Sequence, residues 1–273
     1  MEELTLKELQ QVNLSILKDI HAFCESNNIK YSIAYGTLIG AVRHKGFIPW
    51  DDDVDIVMPR PDYERFCRTY HSESGMRLIY YGNDRSALAA FARVVECEKT
   101  VYQTERPWTF QKSGVWIDIF PLDGVKNAEE YRLRYERLKP ISKFVYKFRR
   151  QNHHIVSSDS WWSIFKTVLA RVAGLGGWIP SALLNKIIIA TMTKYDYNDC
   201  YAYGQISCLD DGPIVFSKKG FDSPILLDFE DTQFRAMSDY DTVLRKLYGD
   251  YMQLPPSDKQ VPKQYWIHFY KKS

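Results

Sequence analysis

A mixed α/β (α+β) fold, a sheet flanked by helices, is what this sequence predicts, and three observations predict it. Leu9, Val12, Ile16, Ile20 and Phe23 recur at helical spacing near the start of the chain. Short apolar, β-branched runs follow, with helical periodicity between and after them. The 273 residues are 45% hydrophobic and 26% charged, the proportions of an ordinary globular protein, and suffice for one large domain or two small ones.

The first 27 residues read as an amphipathic helix that Asn27 and Asn28 stop. Lys30–Ala34 is a short strand, Gly36 and Thr37 make a turn, and Leu38–Arg43 begins a helix whose N-terminal amides lie near that turn. Val54–Met58 is a second strand, and Pro61 suits the first turn of the next helix, which carries Tyr63 and Phe66. Between Arg77 and Phe120 the runs RLIYY, ALAAFARVV, KTVYQ and GVWIDIF read as strands, with Pro121 and Gly124 ending them. Glu129–Arg150 is a long helix rich in basic residues. A hairpin spans Pro224–Ala236, and Ser238–Asp241 resembles a capping box opening a helix that ends at Tyr248 and Gly249. Leu254, Pro255 and Pro256 close that region.

Composition excludes several classes. A net charge of +2 provides no global basic field, which weighs against a nucleic-acid partner. The five cysteines are odd in number and lack CxxC spacing, so a disulfide framework or zinc site is not expected and a reducing compartment fits. The acidic start MEELTLKELQ is not a signal peptide, and no apolar stretch has the length of a membrane span. One segment stands apart. Between Asp159 and Asp196 there is no acidic residue, while Lys166, Arg171, Lys186 and Lys194 accompany Trp161, Trp162, Phe165 and Trp178. A peripheral membrane contact through residues 161–194 and a pair of buried helices with a solvated lysine face both fit that composition.

The chemistry concentrates between Tyr31 and Phe66. Asp51, Asp52, Asp53 and Asp55 crowd four like charges beside an apolar strand, and a hard divalent cation resolves that repulsion. Asp53 and Asp55, at i and i+2, share a strand face. Asp118 lies in the apolar run WIDIF, where an unpaired acid is costly. If the two strands are neighbours, Asp53, Asp55 and Asp118 converge into a metal site with catalytic roles, and Asp51 and Asp52 form its outer rim. Gly36 allows close backbone approach to a phosphate, and Thr37 can cap the following helix and bind a phosphate oxygen. Arg43 can engage a phosphate bidentately. Arg93, alone among small apolar residues, requires an anionic partner, either a ligand phosphate or one of the acids. A cation beside a phosphate-binding turn is equipment for phosphoryl-group transfer.

These motifs resemble a known family. A strand, a Gly-Thr turn, a helix, then Asp53-Val54-Asp55-Ile56 and a later acid resemble the nucleotidyltransferase superfamily. The longer run GTLIGAVRHKGFIPWDDDVDIVMPRPDYERF, with VWIDIFPLDGV and LYGDYMQLPP, is similar to the LicD family of phosphocholine transferases and to fukutin-related proteins. The resemblance implies a nucleotidyltransferase-like mixed sheet; the expected division is a catalytic core over 1–130, a mostly helical, basic and aromatic insertion over 131–197, to which the resemblance does not extend, and a C-terminal part, 198–273, completing the core. It implies Mg²⁺ (or Mn²⁺), CDP-choline as donor, and a lipid-linked or other glycan acceptor of teichoic acid or lipopolysaccharide type. The expected location is cytoplasmic, at the inner face of the cell membrane where residues 161–194 make the peripheral contact. A choline ammonium needs an aromatic cage, and Trp50, Tyr35, Trp108 and Trp116 lie near the motifs. Transfer of ribitol or glycerol phosphate from a CDP-linked donor, nucleotidyl transfer to a small molecule, and a membrane-associated scaffold with a structural Ca²⁺ site are the alternatives.

Overall fold

The computed structural model describes residues 1–83, 90–104, 114–150, 161, 181–205, 213–262 and 267–272. Helix α1 (Leu6–Ser26) begins in a capping box: the Thr5 hydroxyl accepts from the Glu8 amide, and the Glu8 carboxylate accepts from the Thr5 amide. Its apolar stripe buries Leu9, Ile16, Leu17 and Ile20, and one polar residue, Asn13, is buried with them.

The sheet follows in two layers of pairing. Strand β1 (Ser32–Ile33) pairs antiparallel with β2 (Asp55–Pro59), which runs parallel to β6 (Val115–Val125). On the other side of β6 lie β4 (Ala92–Glu96), antiparallel, and then β3 (Arg77–Ile79). Helix α2 (Tyr35–His44) follows β1, and α3 (Arg60–Thr69), with its proline in the first turn, follows β2. Strand β5 (Thr100–Thr104) precedes β6 and pairs with the C-terminal β11 (Ile267–Lys271). Helices α4 (Ala128–Arg150) and α5 (Ser181–Met192) pack together over a small cluster that includes Tyr131, Leu138, Ile188 and Met192. Strands β7 (Ala202–Gln205) and β8 (Ile214–Ser217) extend the sheet from the far end of β6. The short α6 (Lys218–Asp222) leads to the hairpin β9 (Ile225–Phe229) and β10 (Thr232–Ala236), then to α7 (Tyr240–Tyr248). One core joins these parts: Ile16 and Ile20 of α1, Ile56 and Ile119 of the sheet, Phe229 and Phe234 of the hairpin, and Phe269 of β11 belong to the same buried cluster.

Four boundaries differ from the sequence expectation. The Lys30–Ala34 strand is two residues long. Gly36 and Thr37 form the first turn of α2 itself. The last helix is capped at Asp239 with no side-chain cap bond, so the Ser238–Asp241 box does not form. Strand β6 runs through Pro121 to Val125. The reason lies in the ladder: the Asp118 amide points to β2 (3.2 Å to the Val54 carbonyl), so alternation aims position 121 to the opposite side. There β4 has ended opposite Ile119 and β7 has not begun until Asp123, and a missing N–H costs nothing.

Among the described residues no helix is long and apolar enough to cross a membrane. The basic, aromatic stretch lies mostly outside the described residues; within them Trp161 is exposed. Cys24, Cys67, Cys97 and Cys200 are free thiols.

Two buried polar groupings hold the frame. Arg60, one residue beyond β2, forms a bidentate pair with Asp123 of β6 (2.6 and 2.9 Å), and Asp123 is 1% exposed. The Tyr31 hydroxyl accepts from the Arg235 amide (3.3 Å) and is hydrogen-bonded with His21 Nδ1 (2.7 Å), linking α1, the approach to β1, and β10. Burial holds the His21 pKa below its ordinary value, against the opposing pull of Glu25.

Asp123→Ala, which leaves the Arg60 guanidinium buried and unpaired, is expected to lower stability by about 3–5 kcal/mol in urea denaturation. Because the folded state resists protonating His21, its contribution to stability is present above the ordinary histidine pKa of about 6.5 and is lost as pH falls below it. The drop in Tm between pH 7.5 and pH 5.5 is therefore expected to be smaller in His21→Gln than in the wild type, by differential scanning calorimetry at matched ionic strength.

Candidate active site

The parallel register of β2 and β6 sets Asp55 directly opposite Asp118. From the other side of β6, Arg93 stands opposite Asp118 and donates from Nε to Oδ1 at 2.5 Å. Its guanidinium lies over the Trp116 ring, 4.7 Å from the centroid, and 5.5 Å from that of Phe91. Of the two anionic partners that fit Arg93, the structure thus provides the acid. Burial pushes the Asp118 carboxyl above its ordinary range; Arg93 opposes this, and the nearby negative charge of Asp53 adds to it.

Only Asp55 of the acidic run belongs to β2; Asp53 lies just before the strand. Asp51 and Asp52 are not an outer rim. They are 5% and 8% exposed, and carboxylate oxygens of Asp51, Asp52 and Asp53 lie within 4.8 Å of one another. The loop is drawn inward because Ile48 and Val54 at its two ends are buried. Helix α1 then satisfies its backbone: Gln10 Nε2 donates to the carbonyls of Ile48 (3.3 Å) and Asp51 (2.9 Å), and Asn13 Nδ2 to that of Asp52 (3.3 Å). Gln10 and Asn13 escaped the sequence reading. The available signal was an asparagine set between Leu9 and Ile16 on an apolar helix face.

The other expected site residues have protein partners. An ideal Cβ on Gly36 would sit 2.7 Å from Asp51 Oδ2, so the glycine lets that carboxylate rest against α2. Thr37 is buried, and its hydroxyl accepts from the Asp55 amide at 2.9 Å. Arg43 donates from Nη1 to the carbonyls of Tyr251 (2.6 Å) and Gln253 (3.4 Å), and from Nε to His44 Nε2 (2.9 Å). It thereby ties α2 to the segment after α7. From the other flank, the Glu230 amide donates to the Lys45 carbonyl (2.8 Å) and its carboxylate accepts from the Phe47 amide (3.0 Å). Between α2, the Trp50–Asp51 loop and the segment after α7 is a cavity of about 690 Å³.

Of the four aromatic residues near the motifs, Trp108 lies outside the described residues. Trp116 carries Arg93, Tyr35 packs edge-on against Phe120 (6.0 Å), and Trp50 lines the cavity.

The contact between Gly36 and Asp51 yields a direct test. Gly36→Ala forces a methyl group against a buried carboxylate and is expected to cost about 1–3 kcal/mol in chemical denaturation, with a cooperative transition retained.

Residues 28–148 match the LicD/FKTN/FKRP nucleotidyltransferase domain, a span that contains Gly36, the acidic run, Arg93 and Asp118. The chain is 34% identical over 272 residues to the lipopolysaccharide cholinephosphotransferase LicD of Haemophilus influenzae, covering 96% of this chain and 97% of that one. Shorter similarities reach uncharacterized proteins of Rickettsia typhi (53% over 51 residues, 19% of this chain and 16% of that one) and Rickettsia prowazekii (55% over 47 residues, 17% and 18%). A domain match that contains the acid site and a similarity running nearly end to end place this chain in the LicD family.

Proposed function

We propose that this chain transfers phosphocholine from CDP-choline to a hydroxyl of a cell-surface glycan of the lipopolysaccharide type. The observation that carries this reading is the near full-length similarity to a lipopolysaccharide cholinephosphotransferase, combined with an acid site inside the matched domain. Three neighbouring carboxylates, two of them buried, are a donor set suited to a hard divalent cation, Mg²⁺ or Mn²⁺. Asp51, Asp52 and Asp53 would hold it, with Asp55 and Asp118 alongside; bound there, it supplies Lewis-acid stabilisation of diphosphate charge.

The chain's own residues supply the rest. The N-cap of α2 is Ala34, which brings no side-chain oxygen to the first-turn amides. The amides of Gly36 and Thr37 are thus suited to receive a phosphate oxygen at the positive end of the helix. The Thr37–Asp55 bond holds that turn against β2. Asp118, opposite Asp55 in the register and held by Arg93, is the residue placed to take the proton of the acceptor hydroxyl. The acceptor oxygen then forms its bond to the choline-bearing phosphorus as the bond to CMP breaks. Arg93 orients Asp118 throughout, held in turn by the Trp116 ring. The acceptor, being attached to a lipid, would be met at the inner face of the membrane, with residues 161–194 as the contact.

Asp53→Asn is expected to lower the rate of transfer from CDP-choline to purified lipopolysaccharide by at least about 100-fold, and EDTA to abolish it until Mg²⁺ or Mn²⁺ is restored. CDP-ribitol and CDP-glycerol run in parallel decide the donor. Faster turnover of either one than of CDP-choline refutes the phosphocholine assignment.

A further inference from the structure

The cavity beside the acid cluster has a distinct chemistry. Its volume of about 690 Å³ falls within the range of small-molecule sites. Gly36 and Asp51 belong to its lining, so it is continuous with the carboxylates where the diphosphate would sit. Trp50, Tyr248 and Tyr251 supply ring surface, and Asp250 contributes a second carboxylate. Tyr248 is 45% exposed and Asp250 is exposed, whereas Tyr251 is buried, with its hydroxyl bound to Asp241 and Arg245 over its ring. Two cations also line the cavity, Arg43 and Lys259, and Arg43 is committed to the carbonyls of Tyr251 and Gln253.

Trp50 is half-buried and meets His44 at right angles, with ring centroids 6.4 Å apart. Because Arg43 Nε–H donates to His44 Nε2, that imidazole is a neutral acceptor, and burial together with Arg43 holds its pKa below the ordinary value. The imidazole therefore adds no positive charge to those of Arg43 and Lys259 in the lining, which the carboxylates of Asp51 and Asp250 balance. An electron-rich ring, flanking carboxylates and a neutral neighbour are what a quaternary ammonium group selects.

The mechanism makes a separate requirement. In an in-line displacement the acceptor oxygen and the CMP oxygen take the two axial positions at phosphorus, so the choline arm leaves sideways and needs a compartment of its own. We propose that this cavity seats the quaternary ammonium head group of the donor, with Trp50 as its aromatic face and Asp250 as its countercharge. This assignment rests on the phosphocholine reading above.

Steady-state kinetics with CDP-choline, CDP-ethanolamine and CDP-glycerol test it. Trp50→Leu is expected to raise KM for CDP-choline about tenfold and Trp50→Phe by less, while the inhibition constant of CMP, which lacks the head group, stays within about twofold. Asp250→Asn, at an exposed position that tolerates substitution, is expected to raise KM for CDP-choline and CDP-ethanolamine but not for CDP-glycerol. If the wild type uses CDP-choline and both Trp50→Leu and Asp250→Asn, folded by circular dichroism, keep its KM within about twofold, the head-group seat is wrong and the phosphocholine reading stands. A rise confined to KM for the glycan acceptor likewise overturns the seat. A wild type that turns over CDP-glycerol or CDP-ribitol but not CDP-choline overturns both.

Discussion

The parallel pairing of β2 with β6 is the constraint on which the rest of the structure depends. It alone places Asp55 opposite Asp118. Parallel strands need a crossover, and here the chain from α3 through β5 supplies it. The Arg60–Asp123 pair continues the same register by one step, since Pro59 is opposite Leu122. A slip of one residue would separate two buried charges as well as turn every side chain to the wrong face. The register that stabilises the sheet is therefore also the one that aligns the acids.

The acidic loop poses the opposite problem. Burying adjacent carboxylates is unfavourable, yet Asp51 and Asp52 are inside. The surrounding structure imposes this from three sides. Gln10 and Asn13 take the loop carbonyls, Thr37 takes the Asp55 amide, and Gly36 yields space to the Asp51 carboxylate. Polar groups of the protein thus serve the loop's backbone, and carboxylate oxygens of Asp51, Asp52 and Asp53 lie within 4.8 Å of one another. An arrangement that leaves negative charge concentrated in this way is suited to a cation and, through it, to a phosphate donor.

Much of this was legible in the chain. The amphipathic period of α1, the β-branched runs, Pro61 at a helix start and the hairpin at Pro224–Ala236 are local signals with local causes, and the structure has these elements. The extension of β6 through Pro121 depended on neighbours distant in sequence. Pro121 reads as a breaker until β4 and β7 are seen to leave a gap beside it. The contacts of Arg43 with the carbonyls of Tyr251 and Gln253, more than 200 positions away, likewise leave no mark in the motif around it.

By itself, the sequence determined the α/β class, the clustering of acids and the identity of Asp118 as an acid embedded in an apolar run, because side-chain type and short-range period are properties of the chain alone. Tertiary structure alone decided which acids are buried, which acid Arg93 holds, and which of the nearby aromatic residues faces a cavity. The physical reason is that burial and pairing are set by what α1, β4 and the segment after α7 bring to the acids from far along the chain, and spacing within a motif carries no record of that.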